Sequence, residues 1–257
     1  MTTLRPRLVL FDVDGTLVKV YGAGRRALEE AFAAVFGRED AIAHLDPVWF
    51  AGKTDLYIFR QVAMGAGIPP WQYERQYLEL ESAYLDRLRA NVDGHPDKQV
   101  LPGVEALLEA LAARDGVVLG LMTGNLEAGA RVKLEPWNLN RFFPSGGFGS
   151  DALDRSDIGR VARGRFEQRL GAPIAPQDIL VVGDTVADIE AARACGFHVL
   201  AVASGWTDGS TLRASPRLPT PSERRAEELG PDARGPSNSD QPSPLSERGR
   251  RDQSLGT

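Results

Sequence analysis

Short apolar runs that alternate with helical patterns limit what this chain can fold into more than any other feature. Residues 8–11, 117–122 and 179–182 are apolar throughout, and amphipathic stretches separate them. Strands that are apolar along their whole length are expected where both faces of a sheet are covered. Alternation of such strands with helices is typical of parallel sheets. The sequence therefore predicts an α/β fold, a Rossmann-like parallel sheet with helices on both faces.

Two regions depart from this alternation. Residues 19–97 repeat apolar side chains at i, i+3, i+4 and i+7, which predicts a helical insertion directly after the first strand. Residues 213–257 have no aromatic residue, no Ile, no Val and no Met, so they bury too little apolar area to offset their ordering entropy. We expect a core formed by residues 1–18 and 98–212, the insertion at 19–97, and a disordered tail at 213–257.

Composition and charge exclude several classes of protein. The chain is 42% hydrophobic, which is sufficient for one sizeable core, and its formal net charge of −5 argues against a dedicated nucleic-acid surface. The apolar runs are too short to span a membrane, and the first residues lack the apolar segment of a signal peptide. We expect a cytoplasmic protein without a membrane partner.

The first candidate site is a pair of aspartates at the end of the first apolar run. Asp12 and Asp14 follow residues 8–11 and are separated by one residue. The carboxyl edge of a parallel sheet is where ligands bind in open α/β folds. Two carboxylates this close need a cation or a shared proton, and Mg²⁺ prefers such oxygen ligands. The alternative is a turn that merely closes the strand.

A second acidic pair follows the apolar run at residues 179–182. Asp184 and Asp188 are four residues apart, so a helical first turn can direct both carboxylates toward one site. The alternative is a helix N-cap formed by Asp184 or Thr185.

The third candidate is a neutral segment after the run at residues 117–122. The hydroxyl of Thr123 and the backbone N–H groups of Gly124 and Asn125 can form a phosphate cradle at the start of the next helix. The alternative is a threonine N-cap.

In this order, the segments DVDGT, LMTGN and VVGDTVADI resemble the haloacid dehalogenase-like hydrolase superfamily, in particular its phosphoglycolate phosphatase-like phosphatases. The resemblance covers about residues 7–210. It implies a Mg²⁺-dependent phosphomonoester hydrolase that acts on a small phosphorylated metabolite through an aspartyl-phosphate. It also implies that the helical insertion is a cap that closes over the site.

The resemblance implies roles for seven residues. Asp12 matches the nucleophile and Asp14 the general acid/base. The side chains of Asp12 and Asp184 and the backbone carbonyl of Asp14 match the metal ligands, and Asp188 matches a supporting residue. Thr123 matches the hydroxyl that binds the transferring phosphoryl group, together with its neighbours Gly124 and Asn125.

The family also needs a cation near the phosphoryl group, usually a lysine, and the chain offers two candidates. Arg155 lies 32 residues after Thr123 and 29 before Asp184, and no lysine lies between Lys133 and Asp184. The sequence favours Arg155, because Lys133 comes early and belongs to an amphipathic helix. Lys53 in the segment AGKTD resembles a cap residue that contacts substrate, and the alternative is an exposed lysine beside an N-cap at Thr54.

Two further functions stay open on the sequence alone. A sugar-phosphate mutase of the same superfamily shares Asp12 and Asp14 and differs in how the cap shields the intermediate from water. A non-catalytic binding protein on the same scaffold has little need of Asp12, Asp14 and Asp184 together.

Overall fold

A computed structural model describes residues 7–205 and 207–215 of the chain. The strands in this part are β1 (Arg7–Phe11), β2 (Val18–Lys19), β3 (Gln99–Val100), β4 (Val117–Met122), β5 (Gly146–Gly147), β6 (Ile179–Gly183) and β7 (His198–Ala201). The α-helices are α1 (Ala23–Phe36), α2 (Asp55–Gly65), α3 (Pro70–Asp93), α4 (Val104–Ala112), α5 (Glu127–Leu134), α6 (Arg155–Leu170), α7 (Val186–Ala194) and α8 (Gly209–Ala214).

Five of the strands form one parallel sheet in the order β5-β4-β1-β6-β7. β1 is central, with Leu10 paired to Gly120 of β4 on one side and to Val181 of β6 on the other. The carboxyl ends of β4, β1 and β6 therefore lie side by side. This is the predicted α/β parallel sheet.

Helices cover both faces of this sheet, as the fully apolar strands require. Leu8 and Leu10 pack with residues of α6 and α7, whereas Val9 and Phe11 pack with residues of α4 and α5. Successive side chains of a strand point to opposite faces, so an uninterrupted apolar run serves two layers of core. All four side chains are buried.

The segment between β2 and β3 contains α1, α2 and α3, which pack around a hydrophobic cluster of their own. Phe32, Phe59 and Tyr84 are among its buried members. β2 and β3 bound this segment as an antiparallel pair, with Val18 opposite Val100. Strands of two residues leave no periodic pattern in a sequence, and the sequence analysis did not predict this ribbon.

The last described element is α8, which begins after its N-cap Asp208 and ends at Ala214. It crosses the boundary that the sequence analysis set at residue 212. The predicted disordered tail lies, from residue 216 on, outside the described residues. Among the described residues, no helix combines the length and the apolar character needed to cross a membrane.

Candidate active site

Three neighbouring strands deliver polar side chains to one edge of the sheet. Asp12 directly follows β1, Thr123 follows β4 and Asp184 follows β6. All three are buried, although residues of these types are mostly exposed in proteins. The parallel order of the strands is therefore sufficient to bring together the three segments that the sequence analysis singled out.

Two glycines allow the surrounding loops to close tightly on Asp184. A Cβ atom at Gly205 would lie 1.6 Å from Asp184 Oδ2, and one at Gly15 would lie 2.5 Å from the same oxygen. Gly15 also has φ +79°, which side chains other than glycine rarely adopt. The hydroxyl of Thr16 donates to Asp184 Oδ1 at 3.2 Å, so the carboxylate is fixed from several sides.

Asp184 is one of three buried aspartates whose carboxylates form a cluster. One oxygen each of Asp12, Asp184 and Asp188 lies within 4.8 Å of the others. Oxygen-only sites of this kind suit a hard divalent cation such as Mg²⁺. The Asp14 carboxylate does not belong to this cluster. This agrees with the resemblance, which placed only the backbone carbonyl of Asp14 among the metal ligands.

Arg155 lies against this cluster, where it pairs with two of the carboxylates. Its Nη2 is 2.5 Å from Asp188 Oδ1 and 3.1 Å from Asp12 Oδ1. Burial opposes the charge of the guanidinium, yet Asp188 and Asp12 raise its pKa, so Arg155 is a permanent cation here. Its Nε is buried without a hydrogen-bond partner among the described residues.

Asp188 belongs both to the capping box at the start of α7 and to the cluster of buried carboxylates. Thr185 is the N-cap of α7, and its hydroxyl and backbone N–H donate to Asp188 Oδ2 at 2.6 and 3.0 Å. The same carboxylate holds Arg155 with its other oxygen. The capping box at the start of α7 thus fixes Asp188 in the orientation that positions Arg155.

Asp14 faces a different set of partners. Lys133 Nζ donates to Asp14 Oδ2 and to Asn125 Oδ1, both at 2.6 Å. Asn125 Nδ2 in turn donates to Asp14 Oδ2 and to Thr123 Oγ1, both at 2.8 Å. These four residues form one polar network that links the ends of β1 and β4.

The structure places Lys133 in the site beside Asp14, whereas the sequence analysis treated it as the weaker candidate for the phosphoryl cation because it comes early and belongs to an amphipathic helix. Lys133 is 6% exposed and lies on the buried face of α5, three residues after buried Ala130. Its long side chain reaches the sheet edge, because side chains on a helix tilt toward the N-terminus. A charged residue at an apolar position of the helix was the signal that could have identified it.

Comparison with known proteins decides the family. The profile described as haloacid dehalogenase-like hydrolase matches residues 6–196. The chain belongs to the haloacid dehalogenase-like hydrolase family. Phosphoglycolate phosphatase 1 from Pseudomonas aeruginosa is 31% identical over 210 residues, which are 82% of this chain and 74% of that protein. Phosphoglycolate phosphatase from Synechococcus elongatus is 30% identical over 209 residues, which are 80% of this chain and 88% of that protein.

Solved structures agree on the fold of this family. CbbY from Rhodobacter sphaeroides in complex with phosphate has a TM-score of 0.55 at 20% identity, with 79% of this chain and 88% of that chain covered. A haloacid dehalogenase-like hydrolase from Streptococcus pneumoniae has a TM-score of 0.52 at 21% identity, with 82% and 90% covered. The chain is thus a haloacid dehalogenase-like enzyme, and its relatives assign it to the phosphatases, the phosphoric monoester hydrolases of this family.

In this haloacid dehalogenase-like site, Asp12 has an unusual electrostatic environment. Burial raises its pKa to about 8 in the protein alone, Arg155 opposes this shift, and the carboxylates of Asp188, Asp184 and Asp14 add to it. A carboxylate without water needs neighbouring positive charge to stay ionised at neutral pH. The site therefore has more negative charge than Arg155 alone balances, which is consistent with a place for a divalent cation.

A loop of the helical insertion is seated on this site of the haloacid dehalogenase-like core. The backbone N–H of Asp55 donates to Gly124 O at 2.7 Å, and the Thr54 hydroxyl donates to Leu153 O at 3.1 Å. A Cβ atom at Gly124 would lie 2.2 Å from Lys53 O, so only glycine permits this approach. Thr54 is also the N-cap of α2, which is the alternative that the sequence analysis gave for this segment. Its hydroxyl oxygen accepts a hydrogen bond from Tyr57 N at 3.2 Å.

Asp55 strengthens this contact between insertion and core, and the sequence analysis did not identify it. Its Oδ2 accepts from Leu126 N at 2.8 Å, at the start of α5. Burial raises the pKa of Asp55 to about 6, while Lys133 and the Leu126 N–H oppose the shift. Nothing near residue 55 in the sequence reveals a contact made 71 residues away.

A cavity of about 390 Å³ lies between the insertion and the sheet edge. Asp12, Asp14, Thr123 and Arg155 line it from the core. Lys53 lines the cavity from the insertion. Its Nζ donates to the backbone carbonyl of Trp49 in the same loop and lies 4.9 Å from the centre of the Trp49 ring. The volume is that of a small-metabolite site.

Proposed function

We propose that the protein is a Mg²⁺-dependent phosphomonoester hydrolase that acts on a small metabolite through a phosphorylated Asp12. The observation that carries this proposal is the different surroundings of two aspartates at one strand end. Asp12 lies with Arg155 and the acidic cluster, whereas Asp14 lies with Lys133 and Asn125. Two carboxylates with separate environments can divide a reaction into nucleophile and general acid/base.

In the first step, a carboxylate oxygen of Asp12 attacks phosphorus and the bond from phosphorus to the ester oxygen breaks. Protonated Asp14 gives its proton to the leaving oxygen, and the alcohol departs. In the second step, ionised Asp14 takes a proton from water as the water oxygen attacks phosphorus. The bond between Asp12 and phosphorus then breaks, and inorganic phosphate leaves.

Residues around Asp12 neutralise and orient the transferring group. Arg155 supplies a fixed positive charge beside Asp12, and its buried Nε has no acceptor among the described residues. Thr123, Gly124 and Asn125 lie at the end of β4 and bind phosphoryl oxygens in this proposal. Asn125 holds the Thr123 hydroxyl oxygen and Asp14 at once, so the cradle and the general acid/base move together.

The donor set also fits Mg²⁺. In the proposal Asp12 and Asp184 hold the ion with the backbone carbonyl of Asp14, and Asp188 supports the site by fixing Arg155 and the start of α7. The buried carboxylate oxygens within 4.8 Å of one another are the ligands that this ion prefers. When bound, the ion supplies positive charge that lets Asp12 stay ionised and that offsets the charge of the phosphoryl group.

The helical insertion acts as a cap in this proposal. It closes the cavity above Asp12 and keeps water away until the first step is complete. Lys53 is the residue of the cap loop that contacts the substrate once its bond to the Trp49 carbonyl is exchanged. Phosphoglycolate is the first substrate to test, because relatives of 31% and 30% identity are named for it. The proposal keeps the cytoplasmic location expected from the sequence.

A phosphate-release assay tests the proposed function. The purified protein is incubated with a panel of small phosphomonoesters, phosphoglycolate included, in Mg²⁺ and then in EDTA. We expect Mg²⁺-dependent release of phosphate from at least one compound and none from the Asp12→Asn variant. Release that persists in EDTA, or that the variant retains, would contradict the proposal.

A further inference from the structure

Arg25 in α1 has an unusual position for an arginine on a helix. It lines the cavity above Asp12, and its Nε is buried without a hydrogen-bond partner among the described residues. Its Nη2 makes a long hydrogen bond, 3.3 Å, to the carbonyl of Ile42. No carboxylate of the described residues forms an ion pair with it. A buried donor of a charged group without an acceptor destabilises the protein.

The next residue in the chain shows that arginines of α1 do not generally lack a carboxylate partner. Arg26 is exposed, with 72% of its side-chain surface accessible, and its Nε pairs with Glu30 Oε1 at 3.0 Å. The surface of α1 therefore provides a counterion to the arginine that faces solvent. Arg25, which lines the cavity, has no such counterion among the described residues.

The wall of the cavity around Arg25 is apolar and positively charged. Leu28, Ile58 and Phe59 line it, and their apolar surface lowers the local dielectric and strengthens any ion pair formed there. Lys53 adds a second cation that has no carboxylate partner in the described part of the chain. The acid of this wall, Asp55, is already bonded to the Leu126 N–H.

The two ends of the cavity thus differ in their charges. At the core end, Asp12 and Asp188 pair with Arg155, and a phosphoryl group fits among them as proposed above. At the insertion end, Arg25 lines the cavity with a planar guanidinium that has no carboxylate partner among the described residues, and this group matches a carboxylate or a second phosphate. A phosphomonoester without a second anionic group leaves Arg25 at the insertion end without a partner.

We propose that Arg25 binds a second oxyanion of the substrate, at the end remote from the ester phosphorus. The proposal rests on the proposed function, and it narrows the substrate class to small phosphomonoesters that have a carboxylate or a second phosphate. Arg25 then determines specificity without taking part in either chemical step.

Equilibrium binding of phosphonates, which have no ester bond to hydrolyse, tests Arg25 directly. Titration calorimetry in Mg²⁺ compares phosphonopropionate, which has a carboxylate, propylene diphosphonate, which has a second phosphonate, and propylphosphonate, which has neither. We expect the wild type to prefer one of the two ligands that have a second anionic group. Arg25→Gln should weaken the binding of that ligand roughly 10- to 100-fold and leave the affinity for propylphosphonate unchanged.

Arg26→Gln is the matched control, and it should leave all three affinities unchanged. Arg25→Lys keeps the positive charge and loses the planar guanidinium, so its affinity for the preferred ligand should lie between those of the wild type and Arg25→Gln. If Arg25→Gln does not fold, the affinities of Arg25→Lys decide the test. Equal weakening of all three phosphonates would show that Arg25 only supports the Ile42 loop. A wild type that binds propylphosphonate as tightly as both other ligands would also overturn the proposal.

Turnover separates this inference from the proposed function. We expect Arg25→Gln to raise KM for phosphoglycolate with little change in kcat, and to leave kcat/KM for ethyl phosphate unchanged. A wild type that hydrolyses no phosphomonoester in Mg²⁺ would reject the proposed function, while the phosphonate affinities would still decide the role of Arg25. A loss of kcat for both substrates would reject Arg25 as a specificity residue.

Discussion

The two walls of the cavity treat charge differently. On the core wall, the charged side chains have partners in the protein: Asp14 with Lys133, and Asp12 and Asp188 with Arg155. On the insertion wall, apolar side chains surround Arg25, whose Nε has no acceptor among the described residues. Preorganised charges suit a reaction that is the same for every substrate, and a free cation suits recognition of one class of substrate. In this account the core performs the chemistry and the insertion selects the substrate.

The largest expected effect comes from Asp12. Asp12→Asn removes the attacking oxygen and should lower kcat/KM by more than about 10³-fold on every substrate.

The pKa of Asp12 is raised to about 8, so its contribution to stability is present below about pH 4 and is lost as pH rises through 8. In Mg²⁺-free buffer, the thermal midpoint of Asp12→Asn should therefore rise relative to wild type between pH 5 and pH 8.

Asp86→Asn is a suitable control for both measurements, because Asp86 is exposed in α3. Residual turnover of Asp12→Asn above a few per cent, after deamidation is excluded by mass spectrometry, would remove Asp12 from the chemistry.

The second effect concerns the cation beside Asp12. Arg155→Ala should lower kcat/KM by roughly 10²- to 10³-fold, because the charge of the transferring group is then poorly neutralised. The loss should be similar for phosphoglycolate and for ethyl phosphate, since both have the same phosphoryl group. Arg160→Ala in the same helix removes an exposed pair with Asp157 and should have no effect. A loss confined to phosphoglycolate would contradict the division between the two walls.

A smaller effect is expected from Lys133, which acts through Asp14 and Asn125 as a positioning residue. Lys133→Met should lower kcat by roughly 10- to 100-fold, as is typical for a residue that orients a catalytic group. Substrates with good leaving groups should lose the least activity, because they depend least on the proton that Asp14 donates. Lys98→Met is the control, since the Lys98 ammonium bonds a backbone carbonyl at the surface. An equal loss of activity for substrates with good and with poor leaving groups would place Lys133 outside the acid/base step.

The smallest effect concerns the contact between the two walls. Asp55→Ala removes the hydrogen bond to Leu126 N and should cost about 1–3 kcal/mol of unfolding free energy. Because burial raises the pKa of Asp55 from 3.8 to about 6, its contribution is present below about pH 4 and is lost as pH rises through 6. Chemical denaturation should show a larger difference from wild type at pH 5 than at pH 7.5. Asp40→Ala, at an exposed position, is the control. A difference that grows with pH would show that the pKa is not raised.

The strand-end residues were predictable from the sequence, whereas the residues that connect different elements were not. Asp12, Thr123 and Asp184 follow apolar runs, and the rule that parallel strands share a carboxyl edge is sufficient to place them together. Lys133 reaches the site from a helix, and Asp55 reaches it from the insertion. Their partners depend on how the helices pack, and the local pattern of α5 indicates at most that Lys133 occupies an apolar position. The sequence treated Arg155 and Lys133 as alternatives for one role, whereas in the structure both lie in the site with different partners.

Trapping the covalent intermediate tests the central claim, that Asp12 of the core performs the chemistry. The Asp14→Asn variant is mixed in Mg²⁺ with p-nitrophenyl phosphate, whose leaving group needs little protonation, and the reaction is quenched in acid. Mass spectrometry of the peptides should show one phosphoryl group on Asp12, at higher occupancy than in wild type and absent from Asp12→Asn. A burst of p-nitrophenol without a phosphorylated Asp12, or a phosphoryl group on another residue, would contradict the account.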